Sequence, residues 1–560
     1  MKLANLKHAL ALCLVPLFMI PLCYAQGDGS ELDKLRAKLA EQQRQIDTLQ
    51  KSLAETQKLL ESIAKPSSTP AASAAATAPA APTPAPGYPR LGGDLASTNP
   101  VLAPPPPPAP RPAFAPPAEA PASSPLQIRI GDTTIQPIGF MDLTGEWKDK
   151  NAGGSIGSSF GSIPYNTAAT AKLSEFRFSP QNSRIGFRVD GNWKGIHFIG
   201  YNEFDFLGTS GGNNMSVSNG AFVPRIRLYW LDMRKGQWEF LAGQSWSMLT
   251  PNRKGISALP GDLFYSQVID VNYVAGLTWT RQPGVRVLYH PTDKVTFGLS
   301  LENPDQYMGG SSGGSTTVLP SALTGLAATQ LDNQTNVQTI PNLVPDIIAK
   351  LAFDPVSRVH FEIAGIERTF KTWNTTTGQP ASGLYSTKAG AGGSINANFE
   401  VVKNFRLVTN NYWSDGGGRY LFGQAPDLVV RADSSVSPIH SGGMVQGFEA
   451  NVGKLLLYAY YSGIYIDRNV VIDANGTSLV GYGYRGSANS QNKAIQEVTF
   501  GFNQTIFKDA KLGAVNLMGQ YAYITRDPWY VATNAPKNTH DNTIFFNVRY
   551  TLPGGAPSVK

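Results

Sequence analysis

Between Leu126 and Leu552 apolar and polar side chains alternate with a period of two, and this constrains the chain more than any other feature. Ser183, Ile185, Phe187 and Val189 alternate with Arg184, Gly186, Arg188 and Asp190. Ile196, Phe198, Gly200, Phe204 and Phe206 alternate with His197, Tyr201, Glu203 and Asp205. The same rhythm runs through Arg225 to Trp230, with Ile226, Leu228 and Trp230 on one parity and Arg225, Arg227 and Tyr229 on the other. It returns from Val295 to Glu302 and from Ile544 to Leu552. Successive side chains of a strand point to opposite faces, so one face is apolar and aromatic while the other carries arginines and carboxylates. No stretch approaches the ~18 consecutive apolar residues of a membrane helix.

The turns turn this alternation into an architecture. Seven connections are tight, at Gly191-Asn192, Lys235-Gly236, Thr292-Asp293, Asp354-Pro355, Lys403-Asn404, Gly453-Lys454 and Asp509-Ala510. Eight longer excursions rich in Gly, Ser, Asn and Thr interleave with them, at 148–172, 208–223, 248–272, 303–344, 371–386, 415–441, 468–492 and 526–540. Tyr273 to His290 reads as one long strand; dividing it at Pro283-Gly284 would add a seventeenth. The expected fold class is therefore all-β, a 16-stranded antiparallel transmembrane β-barrel over 126–560, with short turns at one end and long loops at the other. A soluble sandwich would also alternate. It would not need eight long loops on one side, and its polar face would carry more Lys and Glu.

The segments before the barrel differ in kind. Lys2 and Lys7, the apolar run Ala9 to Ile20 and the small-x-small site Cys23 to Ala25 form a secretory signal peptide, 1–25. A lipoprotein anchor at Cys23 is the rival reading, and Leu22 is not the small residue it would want. Cys13 and Cys23 are the chain's two cysteines, so the segment after residue 25 has no thiol for a disulfide or a metal. In 26–65, Leu32, Leu35, Leu39, Gln42, Ile46, Leu49, Leu53, Thr56, Leu60 and Ile63 follow steps of three and four. A single apolar stripe on a polar helix calls for copies of itself, so this is an N-terminal α-helical coiled coil, expected in the periplasm. A solitary amphipathic helix is the alternative. Residues 66–125 hold 19 of the 41 prolines and form a Pro/Ala-rich linker, an extended spacer that cannot pack a core. Without residues 1–25 the balance is 45 Lys+Arg (47 less Lys2 and Lys7) against 40 Asp+Glu, too even to suggest nucleic acid.

Several pieces match a known family. SRIGFRV (183–189), FLAGQSWS (240–247), LYAYYSGIYIDR (457–468), FGFNQTIFKDAKLGAVNLMGQYAYITRDPWY (500–530) and the terminal RYTLP (549–553) resemble the DcaP-like trimeric porins. The run ending in TRDPWY is the most specific of them. The resemblance implies a homotrimeric outer-membrane channel linked to dicarboxylate uptake, and a coiled coil ahead of the barrel fits it. Two features depart from the family: residues Pro553 to Lys560 continue beyond the last strand, and the proline-rich spacer is long.

With apolar side chains turned to lipid, the charged parity must face inward, because a charge on the lipid face costs ~2–4 kcal/mol near the midplane. This places Arg177, Arg184 and Arg188 inside on the second strand, Arg225 and Arg227 on the fourth, Arg286 on the sixth and Arg549 on the last. Glu203, Asp205, Glu239 and Glu302 point inward from intervening strands. These arginines either form an anion-contacting wall offering bidentate sites to carboxylates or pair with neighbouring acids and stiffen the barrel. Loop 248–272 is the constriction candidate by analogy with other porins, through Arg253, Lys254 and Asp262, with Asp270 beside them. A lid over the mouth is the alternative.

No metal or cofactor is expected. Asp473, Asn475 and Gly476 start like a calcium loop, but Tyr484 stands where its bidentate Glu belongs. His197 and His290 lack any motif that would activate a serine, and no nucleotide fingerprint occurs. The reading is a non-enzymatic porin for small hydrophilic, anionic solutes, in contact with outer-membrane lipid and with copies of itself, both termini periplasmic. A structural anchor binding peptidoglycan through its stalk is the rival, and an adhesin acting through 303–344 is a third reading.

Overall fold

A strand buried on one face in lipid and on the other in protein must pair every backbone group, which favours long strands that close on themselves. The computed structural model describes residues 124–553 except 154–155, 209–221, 260–268, 311–314, 335–339 and 376–382, together with Arg44 and Lys51, both helical. The expected signal peptide, the expected coiled coil apart from those two residues, the linker up to residue 123, Asp262 and the tail from residue 554 lie outside the described residues.

Sixteen strands form the barrel. They are β1 (Thr133–Lys148), β2 (Glu175–Ser179 continued by Arg184–Trp193), β3 (Ile196–Gly208), β4 (Val223–Lys235), β5 (Trp238–Trp246), β6 (Arg281–Thr292), β7 (Val295–Glu302) and β8 (Asp346–Val356). The second half comprises β9 (Val359–Thr375), β10 (Gly383–Val402), β11 (Phe405–Asp415), β12 (His440–Val452), β13 (Leu455–Ile466), β14 (Asn492–Asp509), β15 (Gly513–Pro528) and β16 (Thr539–Thr551). Each is antiparallel to its sequence neighbours, and β16 returns to β1 from Phe140↔Thr551 to Lys148↔Thr543, which closes the sheet. A short strand, Ile128–Ile130, folds back on the start of β1. Where β2 is interrupted, the Ser183 hydroxyl accepts the Asp142 N–H at 3.0 Å.

Seven short turns and eight loops, L1 to L8, follow in strict alternation, as the sequence implies. Four boundaries differ. Asp354 and Pro355 belong to β8, and that turn falls on Ser357 and Arg358. Gly191 and Asn192 still pair within the β2–β3 ladder, and the turn falls on Lys194 and Gly195, both at positive φ (47° and 76°). The expected loop 371–386 is mostly ladder, with Lys371↔Thr387 to Thr375↔Gly383 paired, so β9 and β10 form a long ribbon. Tyr273 to Thr280 is not strand: β6 begins at Arg281, and Tyr273 (φ 66°) and Gly276 (φ 85°) bend the preceding chain inside the barrel. That stretch is apolar because it packs inside, not because it faces lipid.

The facing of the strands follows the alternation. Phe187, Ile226, Val287, Leu299, Phe546 and Val548 are exposed on the outside, while Arg184, Arg227, Arg286 and Arg549 are buried within. Strand β4 departs from it. In β4 the ladder jumps from Glu203↔Leu228 to Phe204↔Ile226, leaving Arg227 as an extra residue. The bulge reverses the phase beyond it, so Leu228 and Trp230 turn inward (1% and 3% exposed) and Tyr229 outward (59%), opposite to the simple alternation.

The interior is also less polar than alternation suggests. Ile138, Ile199, Tyr201, Leu228, Trp230, Tyr458 and Phe545 from the strands pack with Leu259, Ile269, Val274 and Leu277 of L3 in one buried cluster. A second cluster joins Phe160 and Ile163 of L1, Leu249 and Ile256 of L3 and Tyr420 and Leu421 of L6 to Ile348, Ile366 and Ile495. Inward-folded loops carry their own apolar side chains, and the strand positions that meet them are apolar in response.

Candidate functional site in the barrel interior

The inward arginines sit within reach of carboxylates on the same or the next strand. Arg177 meets Glu175 at 3.0 Å, Arg184 meets Glu203 at 3.7 Å and Arg188 meets Asp190 at 2.6 Å. Arg225 binds Asp205 at 2.7 Å, and Arg227 bridges Glu203 (2.7 Å) and Asp205 (2.9 Å). Arg286 lies 3.6 Å from Glu239, and Arg549 lies 2.7 Å from Asp142, with both partners of this last pair fully buried. Asn547 Nδ2 donates to both Asp142 oxygens at 2.7 Å, so that carboxylate is saturated. Glu302 instead accepts the Met248 N–H (2.8 Å) and the Ser300 hydroxyl (3.1 Å). Low dielectric surroundings make the buried pairs, Arg227 with Glu203 and Arg549 with Asp142, expensive to break.

Among the named arginines, those at the long-loop end of β2 to β6 form one group. Arg184, Arg225 and Arg227 share Glu203 and Asp205, and Arg281 of β6 stands beside them. Four guanidinium groups therefore face two carboxylates. Arg281 rests over the Trp246 ring, 5.4 Å from its centroid, and its Nη1 is buried without a hydrogen-bond partner. Trp246, Tyr273 and Trp279 stack beside it with ring centroids 4.1–5.9 Å apart. Arg281 escapes the sequence reading because it falls on the opposite parity to Arg286 in what reads as one long strand, Tyr273 to His290.

L3 runs from β5 to β6 by way of the opposite wall. Asn252 N–H and Nδ2 donate to Glu362 of β9, Arg253 pairs with Glu449 of β12 at 2.9 Å and Gly255 N–H donates to Asp354 of β8 at 2.9 Å. Further on, Asp270 accepts the Ser158 hydroxyl of L1 at 2.6 Å, Ala275 N–H reaches Glu497 of β14 and Thr278 N–H reaches Asn410 of β11. Gly276 passes so close to β12 and β13 that a Cβ there would collide with the Gly463 and Met444 carbonyls. The described part of L3 thus lies inside the barrel rather than over its mouth. Lys254 borders a cavity of about 500 Å³ at the short-turn end, with His197, Arg234, Glu239 and His290 in its lining.

A further charged cluster went unnoticed in the sequence. Arg368 of β9 binds Asp346 (3.0 Å) and Asp427 (2.7 Å), and Arg419 of L6 reaches Asp346 at 3.1 Å. Its members come from three segments, β8, β9 and L6, and Ala364 and Ile366 on the same face of β9 hide the charge pattern. Asp473, at the suspected calcium-like start, caps a turn and accepts the Ser321 N–H from L4 at 3.0 Å.

Among solved structures the chain is similar to the outer membrane channel DcaP of Acinetobacter baumannii, at a TM-score of 0.54 and 16% identity over 76% of this chain and 98% of that one. The barrel shares the fold of that channel. At this identity the likeness is one of fold alone. A weaker likeness is to OmpT of Vibrio cholerae (TM-score 0.40, 10% identity, 76% of this chain and 99% of that one). OmpF of Salmonella typhi, solved in complex with daunomycin, gives 0.42 and 9% over 76% and 100%. No family model and no curated protein sequence matches the chain.

Proposed function

We propose that this chain is a passive diffusion porin of the Gram-negative outer membrane, admitting small hydrophilic solutes with a preference for anions of the dicarboxylate kind. The single supporting observation is the excess of guanidinium over carboxylate where β2 to β6 meet L3: Arg184, Arg225, Arg227 and Arg281 against Glu203 and Asp205. Such a group attracts anions and offers planar, bidentate donors to a carboxylate. Arg177, Arg188, Arg286 and Arg549, each beside an acid, then serve mainly to hold the wall rigid. In the same reading Arg253 and Lys254 of L3 narrow the passage. The heptads at 26–65 bundle three copies into a homotrimer with its stalks in the periplasm.

Planar-bilayer recording tests this. Reversal potentials across a KCl gradient should show anion preference, and Arg281→Gln should weaken it while the barrel stays folded. A cation preference in the unaltered protein would overturn the arginine reading.

The loop-packed interior favours a second reading, a barrel anchor whose stalk ties the membrane to peptidoglycan. Absence of conductance from a correctly folded trimer would select that alternative.

A further inference from the structure

Four loops meet at the tip of L6, and one side chain there lies in an unusual backbone state. Phe422 has φ 58° and the following Gly423 φ 64°. A bulky side chain in the left-handed region is strained, and it persists only where neighbours impose it. The neighbours are identifiable. Tyr420 C=O accepts the Trp279 N–H at 3.1 Å, and Leu421 forms an isolated bridge with Trp279, tying L6 to L3. Leu421 is fully buried against two glycines: a Cβ on Gly443 would strike its Cδ2, and Gly276 lies behind. On the other side the Tyr307 hydroxyl of L4 donates to the Gly423 carbonyl at 2.8 Å.

With Leu421 seated and Gly423 held, the Phe422 ring has one place to go. It stacks on Trp279 at 4.4 Å between centroids and 15° between planes, and meets Phe160 of L1 edge-on at 6.4 Å. Unlike Tyr420 and Leu421, it is only partly buried, and it touches both apolar clusters of the interior. It therefore occupies the point where L1, L3 and L6 converge, just inside the long-loop mouth and within reach of the Arg281 group.

We propose that Phe422 is the aperture residue of the outer mouth: its ring, braced on Trp279, sets the size of solute that passes to the arginines. This rests on the porin reading above. Tyr273 of L3 shares the left-handed backbone but is fully enclosed, whereas part of the Phe422 ring stays accessible.

The test uses the full-length protein in planar bilayers, with heat-modifiable gel migration to confirm the folded barrel. Phe422→Gly keeps the left-handed backbone without strain and removes the ring. Phe422→Asn, which also tolerates that conformation, is the second variant. Conductance should rise about twofold or more, and liposome swelling should admit larger neutral sugars, with anion preference retained. Should the unaltered protein conduct and both variants match it in conductance and size limit, the aperture role is wrong and the porin reading stands. A silent parent with conducting variants would identify the ring as the plug. Silence in all three would refute the porin reading and the aperture together.

Discussion

The pair Arg549–Asp142 shows what an inward charge does when nothing wet adjoins it. Both groups are fully buried at 2.7 Å, Asn547 satisfies the remaining carboxylate lone pairs, and the guanidinium lies 3.9 Å from the Phe140 ring centroid. Removing one member strands the other. Arg549→Met should lower unfolding free energy by about 3–5 kcal/mol, and adding Asp142→Asn should restore a large part of it. Urea unfolding in detergent micelles measures both. The β4 bulge makes a second prediction at this scale. Fluorophores on Tyr229→Cys and on Ile226→Cys should both be quenched by brominated acyl chains, because both side chains point outward. Simple alternation sets these residues on opposite faces, so protection at 229 would disprove the reversed phase. Neither the partner of Arg549 nor the bulge could be read from sequence. Asp142 lies 407 residues from Arg549 along the chain, and an extra residue shows only against the strand it pairs with.

Among the elements, the strands were legible and the loops were not. Alternation locates a strand because its two faces meet different media, and that held for β3, β7 and β16. It misled at Tyr273 to Thr280, where an apolar run belongs to a loop packed inside the barrel. L4 offers a test of how such loops are held. Asp305 is largely buried and hydrogen-bonded to the Asp332 carboxyl, with Arg419 3.7 Å away on its other side and Asp427 near. Burial, reinforced by that second acid, pushes the Asp305 carboxyl up to about 8. Because the folded value is raised, this contact stabilises L4 fully below the ordinary range near 4 and is lost as pH climbs through about 8. Hydrogen exchange at the Met308 and Asp332 amides, corrected for intrinsic rates, should accelerate across that window, since they donate to Asp332 and Gln306 carbonyls that hold the base of L4. Asp305→Asn should flatten the dependence, and an unchanged profile would remove Asp305 from the account.

At the scale of the molecule, the closed sixteen-stranded sheet turns an apolar surface outward and folds L1, L3 and L6 into its own interior. If the barrel conducts, its passage is what these loops leave open, so selectivity depends on loop packing as much as on strand-borne arginines. The sequence by itself determined the strand number, the alternation of short turns and long loops, and the inward placement of Arg184, Arg227, Arg286 and Arg549. Each of these follows from local periodicity, which is set by the strand's own geometry and by the medium on either face. Only the tertiary structure decided which carboxylate each arginine meets, that L3 crosses to β12 through β14, and that Phe422 comes to rest on Trp279. Apart from Arg177–Glu175 and Arg188–Asp190, each two residues apart on one strand, those contacts join different strands or loops and depend on how the sheet pairs and closes, which no local pattern encodes.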